Sequence, residues 1–290
     1  MPRIEIIECP RDAMQGIKRW IPTAQKIRYA NALLNVGFDC LDIGSFVSPK
    51  AIPQMRDTAS VLDALQKNTY NTKLLCIVAN LRGAENACKH PAVDILGYPF
   101  SVSEYFQMRN THKTIEESER LLDQIVNQCD KHNKQLVVYL SMGFGNPYGD
   151  PWSPEIVAQW MTVLAQKGIS TVSLSDTVGT AQKETIQSLF ETILPMFPQL
   201  TVGAHLHAVP DLALQKISAA YQAGCRRFDT AIQGYGGCPM AKDELVGNLP
   251  TEKLITFLNK EQLIHPLDPL AFESASNLCK EILGGALERR

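Results

Sequence analysis

His205 and His207 are separated by a single residue at the end of an apolar run, 202–207. Residues i and i+2 of a strand point to the same face, so both imidazoles can meet one divalent metal. Asp12 follows the first apolar run, 4–9, and offers a carboxylate. Two histidines and a carboxylate with coordination positions left open suit Mg, Mn, Fe or Zn, and the residues alone do not choose among them. The stretch Gly234-Tyr-Gly-Gly-Cys-Pro239 places Cys238 on a glycine loop rather than inside an apolar run. A thiol so placed can close over a bound substrate and exchange a proton with it. Polar residues interrupt other apolar runs in the same manner: Arg11 and Asp12 after the first, Asp42 in the second, Asn80 in the third and Asp176 in the sixth.

These residues can act together only if several strands carry them to one end of a sheet. Apolar or β-branched runs at 4–9, 40–46, 74–80, 93–100, 136–142, 171–176, 202–207 and 226–233 alternate with amphipathic stretches. The clearest helix covers 114–132, where Ile115, Leu121, Leu122, Ile125, Val126 and Cys129 form one stripe. Ser153-Pro154-Glu155 reads as an N-cap followed by proline at the first helical position. Gly37, Gly168 and Gly224 each close a helical stretch ahead of a strand run. This even alternation predicts an α/β fold, a (β/α)8 TIM barrel whose catalytic groups gather at the C-terminal ends of the strands. A doubly wound open sheet fits less well, because no G-x-G-x-x-G follows the first strand. No Pro- or Ser-rich linker divides the chain. Residues 1–259 are therefore expected to form the barrel domain, and 260–290 a C-terminal helical extension packed on it, helical from about 272 to 283.

Composition narrows the classes. The 28 Lys and Arg nearly balance 30 Asp and Glu, which gives no electrostatic reason to expect nucleic acid or an anionic membrane as partner. Hydrophobic residues at 45% and charged residues at 20% permit a large core. Eight cysteines without a C-x-x-C pair read as reduced, mostly buried thiols, Cys238 excepted. No window approaches ~18 uncharged apolar residues, and no apolar segment follows Met-Pro-Arg-Ile-Glu, so a cytoplasmic protein is expected. The Arg226-Arg227 pair is expected on a solvated face. No G-x-S-x-G, Walker A loop or H-E-x-x-H is present.

Pro10-Arg-Asp-Ala-Met-Gln15, Ser45-Phe-Val-Ser-Pro-Lys50, Ile115-Glu-Glu-Ser118, Ser173-Leu-Ser-Asp-Thr-Val-Gly179, His205-Leu-His207, Gly236-Gly-Cys-Pro239 and Gly247-Asn-Leu249 occur in that order. Together they resemble the 3-hydroxy-3-methylglutaryl-CoA lyase family, part of a wider group of metal-dependent barrel lyases and Claisen-type synthases. The resemblance runs from about residue 4 to 257. It implies a divalent ion, Mg or Mn, held by Asp12, His205, His207 and Asn248. It further implies Arg11 as an activating arginine, Cys238 as the loop acid–base group, Asp176 as an active-site aspartate and Lys18 as a contact for the CoA portion. The implied reaction cleaves 3-hydroxy-3-methylglutaryl-CoA into acetyl-CoA and acetoacetate, with Asp42 or Asp176 taking the hydroxyl proton.

Two departures keep alternatives open. Asp42 stands where the family has a catalytic glutamate, shortening that arm by about an ångström. Ala208-Val209-Pro210-Asp211 replaces the family's Asp-Thr-x-Gly, a support for the metal site. A related lyase or Claisen-type synthase acting on another acyl-CoA or 2-oxo acid is one alternative. A non-catalytic paralogue that binds a CoA ester is the other. A small-molecule acyl-CoA is the expected partner, and a homodimer is left open.

Overall fold

The apolar runs become the strands β1 (Glu5–Glu8), β2 (Cys40–Ser45), β3 (Lys73–Ile77), β4 (Ile95–Ser101), β5 (Gln135–Ser141), β6 (Thr171–Asp176), β7 (Thr201–Leu206) and β8 (Arg227–Thr230). Each end lies within three residues of its predicted position. The computed structural model describes residues 3–66, 70–237 and 246–284. Neighbouring strands pair in parallel, and β1 also pairs with β8, so the sheet closes into the expected eight-stranded barrel.

The helices are α1 (Pro10–Gln15), α2 (Thr23–Leu34), α3 (Thr58–Asp63), α4 (Leu81–Lys89), α5 (Glu104–Thr111), α6 (Ile115–Lys131), α7 (Pro154–Gln166), α8 (Lys183–Met196), α9 (Pro210–Gln222), α10 (Thr251–Lys260) and α11 (Pro269–Cys279). Their starts follow the side-chain chemistry. Thr114 and Glu117 form a reciprocal capping box at α6, and Ser153 Oγ accepts from Ile156 N at 3.3 Å to open α7. Such caps are worth about 1 kcal/mol each. Gly37, Gly168 and Gly224 all have positive φ where helical stretches turn toward strands.

A parallel barrel buries both faces of every strand, and nearly every strand residue here is buried. Ile7, Cys9, Cys40, Leu75, Ile95, Val137 and Tyr139 fill the barrel interior. The alternate residues, such as Ile6, Leu41, Leu74, Leu96, Val138 and Phe228, pack beneath the helices. The same alternation turns Asp42, Ser173, Ser175, His205, Arg227 and Asp229 inward. Arg227 therefore corrects the expectation of a solvated pair: it is buried and ion-paired with Asp229. Arg226 is half-buried, its guanidinium 4.2 Å from the Tyr221 ring centre.

α11 starts three residues before the expected helix, with Asp268 accepting from Ala271 N at 2.8 Å, and runs into a π turn at Lys280–Gly284. The extension docks through Asp268 N to Val36 O at 2.8 Å and Arg28 to Glu281 at 2.8 Å. Among the described residues no helix is long and apolar enough to cross a membrane. Seven cysteines, all but Cys238, are buried and unbridged.

Candidate active site

At the C-terminal mouth of the barrel, Asp12, His205 and His207 each offer a ligand atom, and these atoms lie within 4.8 Å of one another. Proline at the first position of α1 starts the helix directly after β1, which puts Arg11 and Asp12 in its first turn at the barrel rim. His205 lies in β7, and His207 just beyond it bridges the backbone of Asn248 in antiparallel fashion. Asn248 donates its amide to Asp12 Oδ2 at 2.5 Å and to Tyr235 O at 2.9 Å. Among the described residues its side-chain oxygen receives no donor, so it too can face an ion. Gly236 makes this close approach possible, since a Cβ there would run into the Asn248 amide.

The donor atoms suit a cation. Burial pushes the His207 imidazole down to about 3, so it is neutral, and its Nε2 is buried without a hydrogen-bond partner. A buried polar atom left unpaired costs about 1–3 kcal/mol, and a coordinated ion removes that cost. Burial opposes charge on Asp12, but Arg11, His205 and His207 outweigh it and hold the carboxyl below its ordinary range. A deprotonated carboxylate beside a neutral imidazole is the donor set a divalent metal takes.

Arg11 lies between two carboxylates. Its Nη1 donates to Asp12 Oδ1 at 2.9 Å, its Nε to both Asp42 oxygens at 3.1 Å, and its Nη2 to Asp42 Oδ2. The Asp42 carboxylate is sealed from solvent beneath that guanidinium, at a bulge in the pairing of β2 with β3. Burial raises its pKa against the pull of Arg11. Asp42 is thus next to the ligand group but reaches the cleft only where Arg11 uncovers it.

Asp176 is buried and does not line the cleft, although its neighbours Ser175 and Thr177 do. Its Oδ2 accepts from Lys216 Nζ at 2.8 Å, and its oxygens also accept from Ala181 N. Lys216 donates in addition to His207 O at 2.8 Å and Gly179 O at 2.9 Å. Lys216, on α9 and buried, carries no signal in the sequence that singles it out. It fixes the backbone of a candidate ligand to the loop after β6. Lys216→Met would leave the Asp176 carboxylate buried without its cation, and it should cost about 3–5 kcal/mol of unfolding free energy. Adding Asp176→Asn should recover much of that in urea titrations. A single variant as stable as the parent would show that the strap carries no load.

A cleft of about 300 Å³ opens above the ligand group, lined by Arg11, Asp12, Asn80, Tyr139, Ser175 and His205 among others. Asn80, one of the polar residues that interrupt the runs, also caps α4 by accepting from Gly83 N at 2.8 Å. Lys18 is exposed in the bend after α1 and does not line this cleft. Cys238 lies outside the described residues. Two residues before it, Gly236 brings the chain to Asn248 and Asp12, at the edge of the ligand group. Glu8 fixes the base of the glycine loop, accepting from Ile232 N at 2.8 Å and Thr251 Oγ1 at 2.6 Å, while burial pushes its carboxyl up to about 8.

Comparison with known proteins yields matches along nearly the whole chain. The sequence profile described as HMGL-like matches residues 3–279. A hydroxymethylglutaryl-CoA lyase of Bacillus subtilis is 33% identical over 97% of this chain and 93% of its own length. A 3-hydroxy-3-isohexenylglutaryl-CoA/hydroxy-methylglutaryl-CoA lyase of Pseudomonas aeruginosa is 30% identical over 97% of this chain and 93% of its own. Among solved structures, an HMG-CoA lyase from Bacillus subtilis superimposes with a TM-score of 0.91 at 32% identity, covering 98% of this chain and 96% of that one. An HMG-CoA lyase from Acinetobacter baumannii, in complex with coenzyme A and 3-methylmalate, gives 0.89 at 31% identity, covering 97% and 92%.

Proposed function

Because this chain belongs to the HMGL-like family and is a carbon–carbon lyase, we propose that its barrel mouth cleaves 3-hydroxy-3-methylglutaryl-CoA into acetyl-CoA and acetoacetate. The observation that carries the reading is the Asp12, His205 and His207 group facing a cleft, with the Nε2 of His207 left unpaired. Asp12, His205, His207 and the side-chain oxygen of Asn248 would hold a magnesium or manganese ion. Such an ion lowers the pKa of a coordinated tertiary hydroxyl and fixes the geometry of the groups on that carbon.

The remaining steps fall to side chains. Arg11 leaves Asp42 to meet the thioester oxygen, where charge develops as the carbon–carbon bond breaks. The same movement opens Asp42 to the hydroxyl proton, and a buried carboxyl with a raised pKa is suited to hold it. Electrons of the broken bond pass to the thioester as an enolate, and the hydroxyl carbon becomes the ketone of acetoacetate. Cys238, on the closing glycine loop, gives the enolate carbon a proton and completes acetyl-CoA. Asp176 acts through Lys216 as a support for His207. Lys18 and the rim of the cleft receive the CoA portion, and the reaction belongs in the cytoplasm.

A thioester panel separates this reading from a related lyase or synthase. With Mg or Mn present, product analysis should find acetoacetate and acetyl-CoA from 3-hydroxy-3-methylglutaryl-CoA at a kcat/KM above that of its isohexenyl analogue. Faster cleavage of the analogue, or of no glutaryl thioester at all, would move the substrate assignment elsewhere.

A further inference from the structure

The proposed reaction leaves the buried pair Arg227 and Asp229 unused; they stand at i and i+2 on β8, both facing the barrel interior. Asp229 Oδ1 accepts from Arg227 Nη1 at 2.9 Å. Asp229 Oδ2 accepts from Ser173 Oγ at 2.8 Å and lies 3.2 Å from His205 Nδ1. Ser173 is on β6, so these contacts cross the barrel over β7. Gly203 on β7 leaves the space for them, because a Cβ there would lie 2.9 Å from Arg227 Nη1 and 3.1 Å from its Cδ. The Asp229 carboxylate has no exposed surface, and each of its oxygens has a donor.

We propose that Asp229, held by Arg227 and Ser173, is a positioning residue that fixes the tautomer of His205 and aims its Nε2 at the metal site. An ionised carboxylate can only accept, so Nδ1 of His205 must carry the proton of the neutral ring. The lone pair is then on Nε2, the atom left to meet Asp12 and His207. Arg227 keeps Asp229 ionised and unable to rotate, and the gap at Gly203 gives the arginine its place. A carboxylate behind a ligating imidazole typically changes metal affinity by about 10–100-fold when it is removed. The inference rests on the metal-site reading above.

Two measurements test it. In 15N-histidine-labelled wild-type protein, the His205 ring titrated to its neutral form should show Nδ1 protonated and Nε2 bare by long-range 1H–15N NMR. A neutral ring protonated on Nε2 would overturn the proposal without any variant. Asp229→Asn keeps the size of the side chain, but it must either present an amide donor to His205 or turn that donor on Arg227. Manganese titration should therefore give affinity about 10–100-fold weaker than wild type, with far-UV circular dichroism unchanged. Ser173→Ala, which removes one donor and no charge, should weaken binding by a smaller factor. Wild-type manganese affinity in a folded Asp229→Asn protein would also overturn the proposal. Failure of the wild-type protein to bind manganese would instead overturn the metal-site reading itself, so the two failures are told apart.

Discussion

Replacing Asp42 by alanine is expected to lower turnover by about 100-fold or more, the scale seen when a group at a developing charge is removed. Two effects combine in that loss. Arg11 loses the partner contacted by its Nε and Nη2, and the proposed proton acceptor disappears. Asp42→Glu should keep activity within about tenfold, because the carboxylate returns with a longer arm; the fully buried site makes the extra methylene felt mainly as ~1–3 kcal/mol of stability. Asp42→Asn distinguishes the two effects. Its amide oxygen still accepts from Arg11, but it takes up no proton, so a loss as deep as that of alanine identifies Asp42 as the acceptor. An asparagine variant close to wild type would leave Asp42 as a support for Arg11 alone. Full turnover in the alanine variant would remove Asp42 from the reaction.

Cys238→Ser should lose rate by about 100-fold or more while manganese binding persists, as for a displaced acid–base group. Two residues before it, Gly236 lies beside Asn248 and Asp12, and the base of the loop is held by Glu8, Ile232 and Thr251. A loop that brought Cys238 over Arg11 and a bound ion would favour its thiolate. The other seven cysteines are buried. Burial, and then the charge of Asp229, pushes the thiol of Cys9 well above its ordinary value, although it stands near the same mouth. Limited alkylation should therefore modify Cys238 first, and an added CoA ester should slow it. Peptide mapping that found another cysteine labelled first would remove the special role of the loop. Normal turnover in the serine variant would reduce the loop to a lid.

The barrel and the convergence of the two histidines were legible because both follow from local periodicity. Eight apolar runs separated by amphipathic stretches already specify parallel strands under helices, and His205-x-His207 needs only the two-residue period of β7 to converge. Arg227-x-Asp229 carries the same period, and opposite charges at that spacing in a strand run were a usable signal. It was hidden by reading Arg226 and Arg227 as a pair. Only closure of the barrel brings Asp229 over Gly203 to Ser173 and His205, contacts between strands that no local pattern links. Lys216 sits on α9 at a position like any other, and its burial depends on the loop from Asp176 to Gly179 passing above it. Asp42 and Asp176 were legible as carboxylates at strand ends. That Arg11 and Lys216 would cover them depended on the reach of side chains from neighbouring elements, which spacing along the chain does not convey.

The most direct test of the lyase assignment and its metal site is product release from protein stripped with a chelator. Given 3-hydroxy-3-methylglutaryl-CoA, the stripped protein should be inactive; on adding Mg or Mn it should release acetoacetate and acetyl-CoA in equal amounts. Equal rates with and without the metal, or free CoA without acetoacetate, would contradict it.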